Sequence, residues 1–192
     1  MTRTKIFSLG FLLCLMSLQS GLAQSRYKVR EDTSRVSFTL RHFANQASGK
    51  FKDFSGDLSF SKASPETSSI SFSVDVASVD TANSTRDSHL RGQEYFDVAS
   101  HPKMTFESRA FKKVGKNRFM VTGPLTMRGQ SKNITVPVVL QRSQTLWATG
   151  EEALQFSCQF SIDRTDFGVG ESSSLLGSEV SIDLNLEFRQ VP

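Results

Sequence analysis

Cysteine is nearly absent from this chain. Of its two cysteines, Cys14 falls in the leading apolar segment. A processed protein therefore keeps Cys158 alone and forms no internal disulfide, even in a compartment that permits one. Histidine is scarce as well: His42, His89 and His101 stand on a strand pattern, in a helical pattern and before a proline. No His-x-x-x-His spacing occurs on one element, so nothing in the pattern builds a metal site, which needs several convergent ligands. Gly-x-Ser-x-Gly, Walker and Gly-x-Gly-x-x-Gly motifs are missing, and so are paired Cys-x-x-Cys motifs. These absences argue against catalysis, against a bound cofactor and against a resident metal. Past the leader, no apolar run reaches the roughly 18 residues of a membrane helix. Neither sign of charge dominates, the net value being +4, and loss of Arg3 and Lys5 with the leader brings it closer to balance. That gives no basis for nucleic-acid binding. Lys112, Lys113, Lys116 and Arg118 cluster around Gly115, as expected of a solvated hairpin tip.

The first residues read as a targeting segment. Arg3 and Lys5 supply the positive region, Ile6 to Leu18 the short apolar stretch, and Gly21-Leu22-Ala23 a small-x-small cleavage site. Leu13 before Cys14 is not the small residue that a lipid-modified cysteine requires. The expectation is a cleavable signal peptide over residues 1–23, export, and a single domain over residues 24–192.

What the chain has in abundance is phenylalanine, 16 residues against one tryptophan and two tyrosines. All but Phe7 and Phe11 lie beyond the leader, and most fall in stretches that alternate apolar with polar. Val180, Ile182, Leu184, Leu186 and Phe188 alternate with Ser181, Asp183, Asn185, Glu187 and Arg189, the two-residue period of a strand with one wet and one dry face. Similar stretches run from Tyr27 to Val29, Arg35 to Phe43, Lys50 to Ser61, Ser68 to Val79, Lys103 to Lys112, Arg118 to Met127, Lys132 to Gln141 and Leu154 to Ile162. Phe51 falls out of phase with Phe54, Leu58 and Phe60, which predicts a bulge or bend. Pro137 predicts an edge or bulged position.

The rhythm breaks over residues 84–99. Ser84 with Asp87 resembles a capping box, so a short helix is expected over 85–91, ended by Gly92, with a second turn over Glu94 to Ala99. Without βαβ alternation the fold class is all-β. Long, cleanly alternating strands favour an eight-stranded antiparallel barrel with a short helical excursion over a sandwich.

A barrel with a dry interior is either packed or hollow. Strand parity nominates Phe38, Leu58, Phe60, Phe72, Val74, Phe106, Phe119, Phe156 and Phe160 for the wall of a cavity, and Phe167 for its rim. Arg164 is expected to pair with Asp163 or Asp166. Cys158, in phase with Phe156 and Phe160, reads as a buried, inert thiol. An interior of many phenylalanines and few polar groups favours a mostly hydrocarbon ligand. Two other classes compete: an enzyme using His89 with Asp87 or Asp97 as acid and base, and a packed-core interaction module. In the plainer reading those acids cap helices or pair with Arg86 and Arg91. The run Glu171-Ser172-Ser173-Ser174 reads as a flexible loop.

The segment Thr85-Arg86-Asp87-Ser88-His89-Leu90-Arg91-Gly92-Gln93-Glu94-Tyr95-Phe96-Asp97, with His101-Pro102-Lys103-Met104-Thr105-Phe106 after it, resembles the YceI-like family. So do Gly123-Pro124-Leu125-Thr126-Met127-Arg128-Gly129 and Arg164-Thr165-Asp166-Phe167-Gly168. The likeness runs from about Tyr27 to Phe188. It implies a lipocalin-like, eight-stranded barrel exported to the periplasm, binding a long-chain isoprenoid, an isoprenoid quinone or a fatty-acid-like ligand. It also implies that homodimers are possible, and it brings no catalytic residues. The chain departs from the family pattern near its expected cavity mouth, with Ala47 and Ser48 where a larger apolar residue often stands.

Overall fold

The computed structural model describes residues 24–43, 45–171 and 176–191. The expected signal peptide and the serines of the loop after Glu171 lie outside them. In chain order the strands are β1 (Ser25–Val29), β2 (Arg35–His42), β3 (Asn45–Phe51), β4 (Phe54–Phe60), β5 (Ser69–Asp75) and β6 (Val79–Asp80). Helix α1 (Ser84–Arg91) follows, then β7 (Lys103–Glu107), β8 (Ala110–Gly115), β9 (Arg118–Met127), β10 (Gln130–Thr145), β11 (Glu152–Asp163) and β12 (Leu176–Val191).

Eight of these strands close a barrel in the order β1, β4, β5, β7, β9, β10, β11, β12, with β1 pairing back onto β12. Every ladder is antiparallel, as hairpin-length connections require. Strand β12 serves two partners along one edge: Val29 to Arg26 of β1 pair with Phe188 to Val191, while β2 pairs with β12 from Leu176 to Asn185. Only a long, tilted strand reaches both. Beyond this point β3 and β6 extend the wall from β2.

The out-of-phase Phe51 has a structural cause. The stretch expected as one strand is divided into β3 and β4, which have different partners, and the corner between them is held by Ser78. Its hydroxyl accepts from the backbone N–H groups of Lys52 and Asp53, each at 3.1 Å. Ser68 to Val79 is likewise interrupted, by a 3₁₀ turn at Val76–Ser78. Lys103 to Lys112 is divided at Ser108, whose hydroxyl accepts from the Ile70 N–H at 2.8 Å. Pro137 sits just below Val138↔Cys158, where the β10–β11 ladder ends. Pro137 stays opposite Met120 in the β9 ladder, so the residue without an N–H is unpaired on its β11 side alone.

Helix α1 forms where expected, but its cap differs. Asn83 Oδ1 accepts from the Arg86 N–H at 3.0 Å, so Asn83 and not Ser84 is the N-cap. Asp87 turns away from the cap and accepts from the Thr81 N–H at 2.8 Å and the Thr81 hydroxyl at 2.6 Å. Gly92 ends the helix. Residues 93–96 then form turns, with the Phe96 N–H reaching the Leu90 carbonyl at 3.0 Å, so the expected second helical piece is replaced by turns. The basic residues 112, 113, 116 and 118 are exposed around the β8–β9 turn.

One end of the barrel is packed shut. Phe60 meets Phe119 edge-on at 5.8 Å between ring centroids and Phe156 at 5.6 Å. Phe156 in turn meets Phe188 at 6.1 Å. Beside them the Tyr27 hydroxyl donates to Glu152 Oε2 at 2.6 Å, and Lys62 and Ser143 converge on the same carboxylate. Burial, helped by this carboxylate, pushes the Tyr27 hydroxyl up to about 12. Burial opposes ionisation of Glu152, yet its hydrogen bonds from Lys62, Tyr27 and Ser143 hold the carboxyl below its ordinary range.

Candidate functional site

Above this floor the barrel is hollow. The cavity has a volume of about 600 Å³, within the usual size range of small-molecule sites. Its wall is built from the inward parity of nearly every strand of the barrel, because a strand with one dry face must turn that face inward once the sheet closes. Phe38 on β2, Leu58 on β4, Phe72 and Val74 on β5, Phe106 on β7, and Phe156 and Phe160 on β11 all line it.

Three nominated residues sit elsewhere. Phe60 and Phe119 do not line the cavity but lie beneath it, where their rings interlock. Phe167 is no rim residue either: it is only 2% exposed, within the 3₁₀ turn Arg164–Phe167 that packs against β10 and β12. That turn is anchored by Arg128, which donates to the carbonyls of Gly168 and Gln93, and by the Lys132–Asp166 pair at 3.6 Å.

Arg164 corrects a second expectation. It pairs with neither Asp163 nor Asp166. Asp163 accepts from Thr165 and Ser178, while the buried Arg164 guanidinium donates to the carbonyls of Val169, Glu171, Leu176 and Gly177. It clasps the segment that leads from the turn into β12. The arginines of the helix behave alike. Arg91 donates to the carbonyls of Ala77 and Val79, and Arg86 to the carbonyl and hydroxyl of Thr81. The expected side-chain pairs with Asp87 are replaced by these main-chain anchors, which tie the helical excursion over the barrel mouth.

Several lining groups were not nominated. Val180, Ile182, Leu184, Leu186 and Phe188 of β12 all face the cavity, on the dry side of their alternation with polar residues. The polar mouth was harder to read. His42 and Ser48 from the β2–β3 hairpin, Arg86 and His89 from α1, Tyr95 from the turns and Arg164 reach the cavity surface. They come from distant segments with no shared spacing. Small Ala47 and Ser48 also line it, so the departure from the family pattern falls on the mouth.

Cys158 faces the interior between Val138 and Leu184 in its two ladders. Burial, with a smaller contribution from Asp183, pushes its thiol up to about 12. Thr81 lowers the Asp87 carboxyl by hydrogen bonding and holds it as an acceptor, which withdraws it from acid–base work with His89. Among the described residues no group of three or more His, Cys, Asp or Glu side chains assembles as a metal site would require. No described helix is long and apolar enough to cross a membrane.

A closed antiparallel barrel that keeps an apolar chamber under a short helical excursion belongs to the lipocalin-like class of β-barrel proteins. Within that class the YceI-like domain matches residues 27–188, and the chain belongs to the YceI-like family. It is 30% identical over 184 residues to Protein YceI of Salmonella newport (strain SL254), covering 93% of this chain and 95% of that protein. A UPF0312 protein of Azotobacter vinelandii is 30% identical over 154 residues, 79% of either chain. Among solved structures, Burkholderia cenocepacia BcnA superposes with a TM-score of 0.76 at 29% identity, over 83% of this chain and 98% of that one. A polyisoprenoid binding domain from Saccharophagus degradans, implicated in plant cell wall breakdown, superposes at 0.66 over 88% of this chain and all of that one. At 19% identity it speaks for the fold alone.

Proposed function

We propose that this protein is a non-catalytic carrier or sequestering protein of the periplasm, which takes a long-chain isoprenoid or comparable amphiphilic lipid into its barrel. The observation that carries this reading is the chamber of about 600 Å³ walled almost wholly by apolar side chains. Each methylene withdrawn from water contributes about 0.8 kcal/mol. A chain of a few prenyl units therefore gains more than the ordering of its bonds costs. A packed-core interaction module is disfavoured by the chamber, since packed interiors leave few voids larger than a water molecule. An acid–base pair of His89 with Asp87 is disfavoured by the engagement of Asp87 with Thr81.

The test is to purify the protein from its own host, extract it with organic solvent and identify the extract by mass spectrometry. A prenyl or acyl lipid in stoichiometric yield is expected. A protein that is always empty, and that takes up no prenyl lipid offered in detergent, overturns the carrier reading.

A further inference from the structure

The closed end of the barrel carries two bare apolar side chains. Trp147, the single tryptophan of the chain, is 97% exposed, and Val114 on β8 is 52% exposed. Trp147 stands at the tip of the β10–β11 hairpin. Two backbone bonds hold that tip: the Leu146 N–H donates to the Glu151 carbonyl at 2.8 Å, and the Gly150 N–H to the Leu146 carbonyl at 2.7 Å. Tryptophan is highly buried on average, so an indole held out in water by a fixed turn is poorly placed unless something covers it.

The same end gathers cations. β10 pairs Val139 with Arg118, and its Leu140 N–H donates to the Asn117 carbonyl at 2.8 Å. The β8–β9 turn therefore lies beside β10 just before that strand runs on through Arg142 to the hairpin tip. Lys112, Lys113, Lys116, Arg118 and Arg142 are all exposed, and none forms an ion pair among the described residues. The acids nearby are Glu66, Glu151, Glu152 and Glu187. Glu152 is held by Lys62 and Glu187 by Arg189. Glu66 lies on the 3₁₀ turn Pro65–Thr67 that packs against β8, and Glu151 acts on the charge of Arg30. Glu66 and Glu151 together do not offset the unpaired cations, and positive charge stays in excess.

We infer that this closed end docks on a bilayer surface of anionic phospholipid, with the Trp147 indole at the level of the headgroups and Lys113, Lys116, Arg118 and Arg142 facing the lipid phosphates. An indole has an apolar body and a polar N–H, which suits it to the membrane–water interface. Cations beside it are drawn to the negative leaflet, each contributing about fivefold in affinity. A second copy docking through the same end would set like charges against each other, whereas fluid headgroups yield around a projecting ring. In this orientation α1 and the open end of the barrel point away from the bilayer, and the docking is independent of what the chamber holds.

The experiment uses the fluorescence of Trp147, which reports on the tip alone, in the full protein mixed with vesicles of phosphatidylglycerol and phosphatidylcholine or of phosphatidylcholine alone. Co-sedimentation with a blue shift is expected on the anionic vesicles and not on the neutral ones, and about 0.5 M salt is expected to reverse both by screening. Trp147→Ala is expected to weaken sedimentation, and Lys113→Gln with Lys116→Gln to weaken it by about fivefold for each charge removed. These residues are exposed on turns, and unchanged melting of the variants checks that the barrel is intact. Uptake into the chamber would also bring protein and lipid together, so Phe43→Ser on the β2–β3 hairpin at the other end is the control and is expected to sediment like the parent. Sedimentation without a blue shift, equal binding to neutral vesicles, or loss of binding in Phe43→Ser overturns the docking surface. So does failure to bind either vesicle. A blue shift that grows with protein concentration in the absence of vesicles assigns the tip to a second copy and overturns it as well.

Discussion

Cys158 shows how far a single side chain is set by its neighbours along the strand. Phase with Phe156 and Phe160 places it on the dry face, and the closed barrel removes it from water. A thiol pushed up to about 12 stays protonated in mildly alkaline buffer, and the thiolate is the reactive form. Maleimide labelling followed by mass spectrometry is expected to leave Cys158 unmodified in the native protein and to modify it fully in urea; rapid native labelling would refute this burial. Arg164 was less legible. Acids one residue before it and two after it looked like partners, but in a tight turn neighbouring side chains diverge, and the guanidinium reaches carbonyls up to thirteen residues away. Phe167 was misplaced for the same reason, because strand parity says nothing about a residue in a 3₁₀ turn.

Strands announce themselves in this chain, while their ends and corners do not. β9 runs over Arg118–Met127 as its pattern predicts. The divisions at Phe51, Asp75 and Glu107 depend on Ser78 and Ser108 hydroxyls reaching backbone N–H groups that are distant in sequence. A second feature at this level is the pairing of glycine with phenylalanine across ladders: Gly49 opposite Phe38 and Gly56 opposite Phe72. At Gly56 an added Cβ would lie 2.7 Å from the Phe72 ring and 3.4 Å from the Ser71 carbonyl oxygen. The glycine is there because the ring covers it. Gly56→Val is expected to cost about 1–3 kcal/mol through overpacking, read as a lower urea midpoint. An unchanged midpoint would mean that the ring can swing clear without loss.

The molecule as a whole is a barrel stopped at one end and open to polar groups at the other. Its floor follows from the mutual ring contacts of Phe60 with Phe119 and Phe156, and the chamber begins where that crowding ends. Phe60→Ala removes the ring that touches both others and is expected to lower stability by about 3–5 kcal/mol. It also deepens the chamber, so a longer prenyl chain should restore more of the melting temperature in the variant than in the parent. Thermal melts with and without a long-chain prenyl alcohol check both effects. An equal ligand shift in the two proteins would place the tail short of the floor.

Alternation of apolar and polar residues settled the all-β class, the inward set of each strand and the place of the helical excursion, because side-chain direction in a strand or helix is a local property of the backbone. Family motifs added the barrel topology. Whether the interior is filled or empty was decided only by closure, since the same phenylalanine parity serves a plug at Phe60 and a wall at Phe106. The polar mouth likewise exists only in three dimensions. His42, Arg86 and Arg164 share no spacing, and they meet because β2 pairs with β12 while α1 and the turn after β11 are anchored over the same end of the barrel.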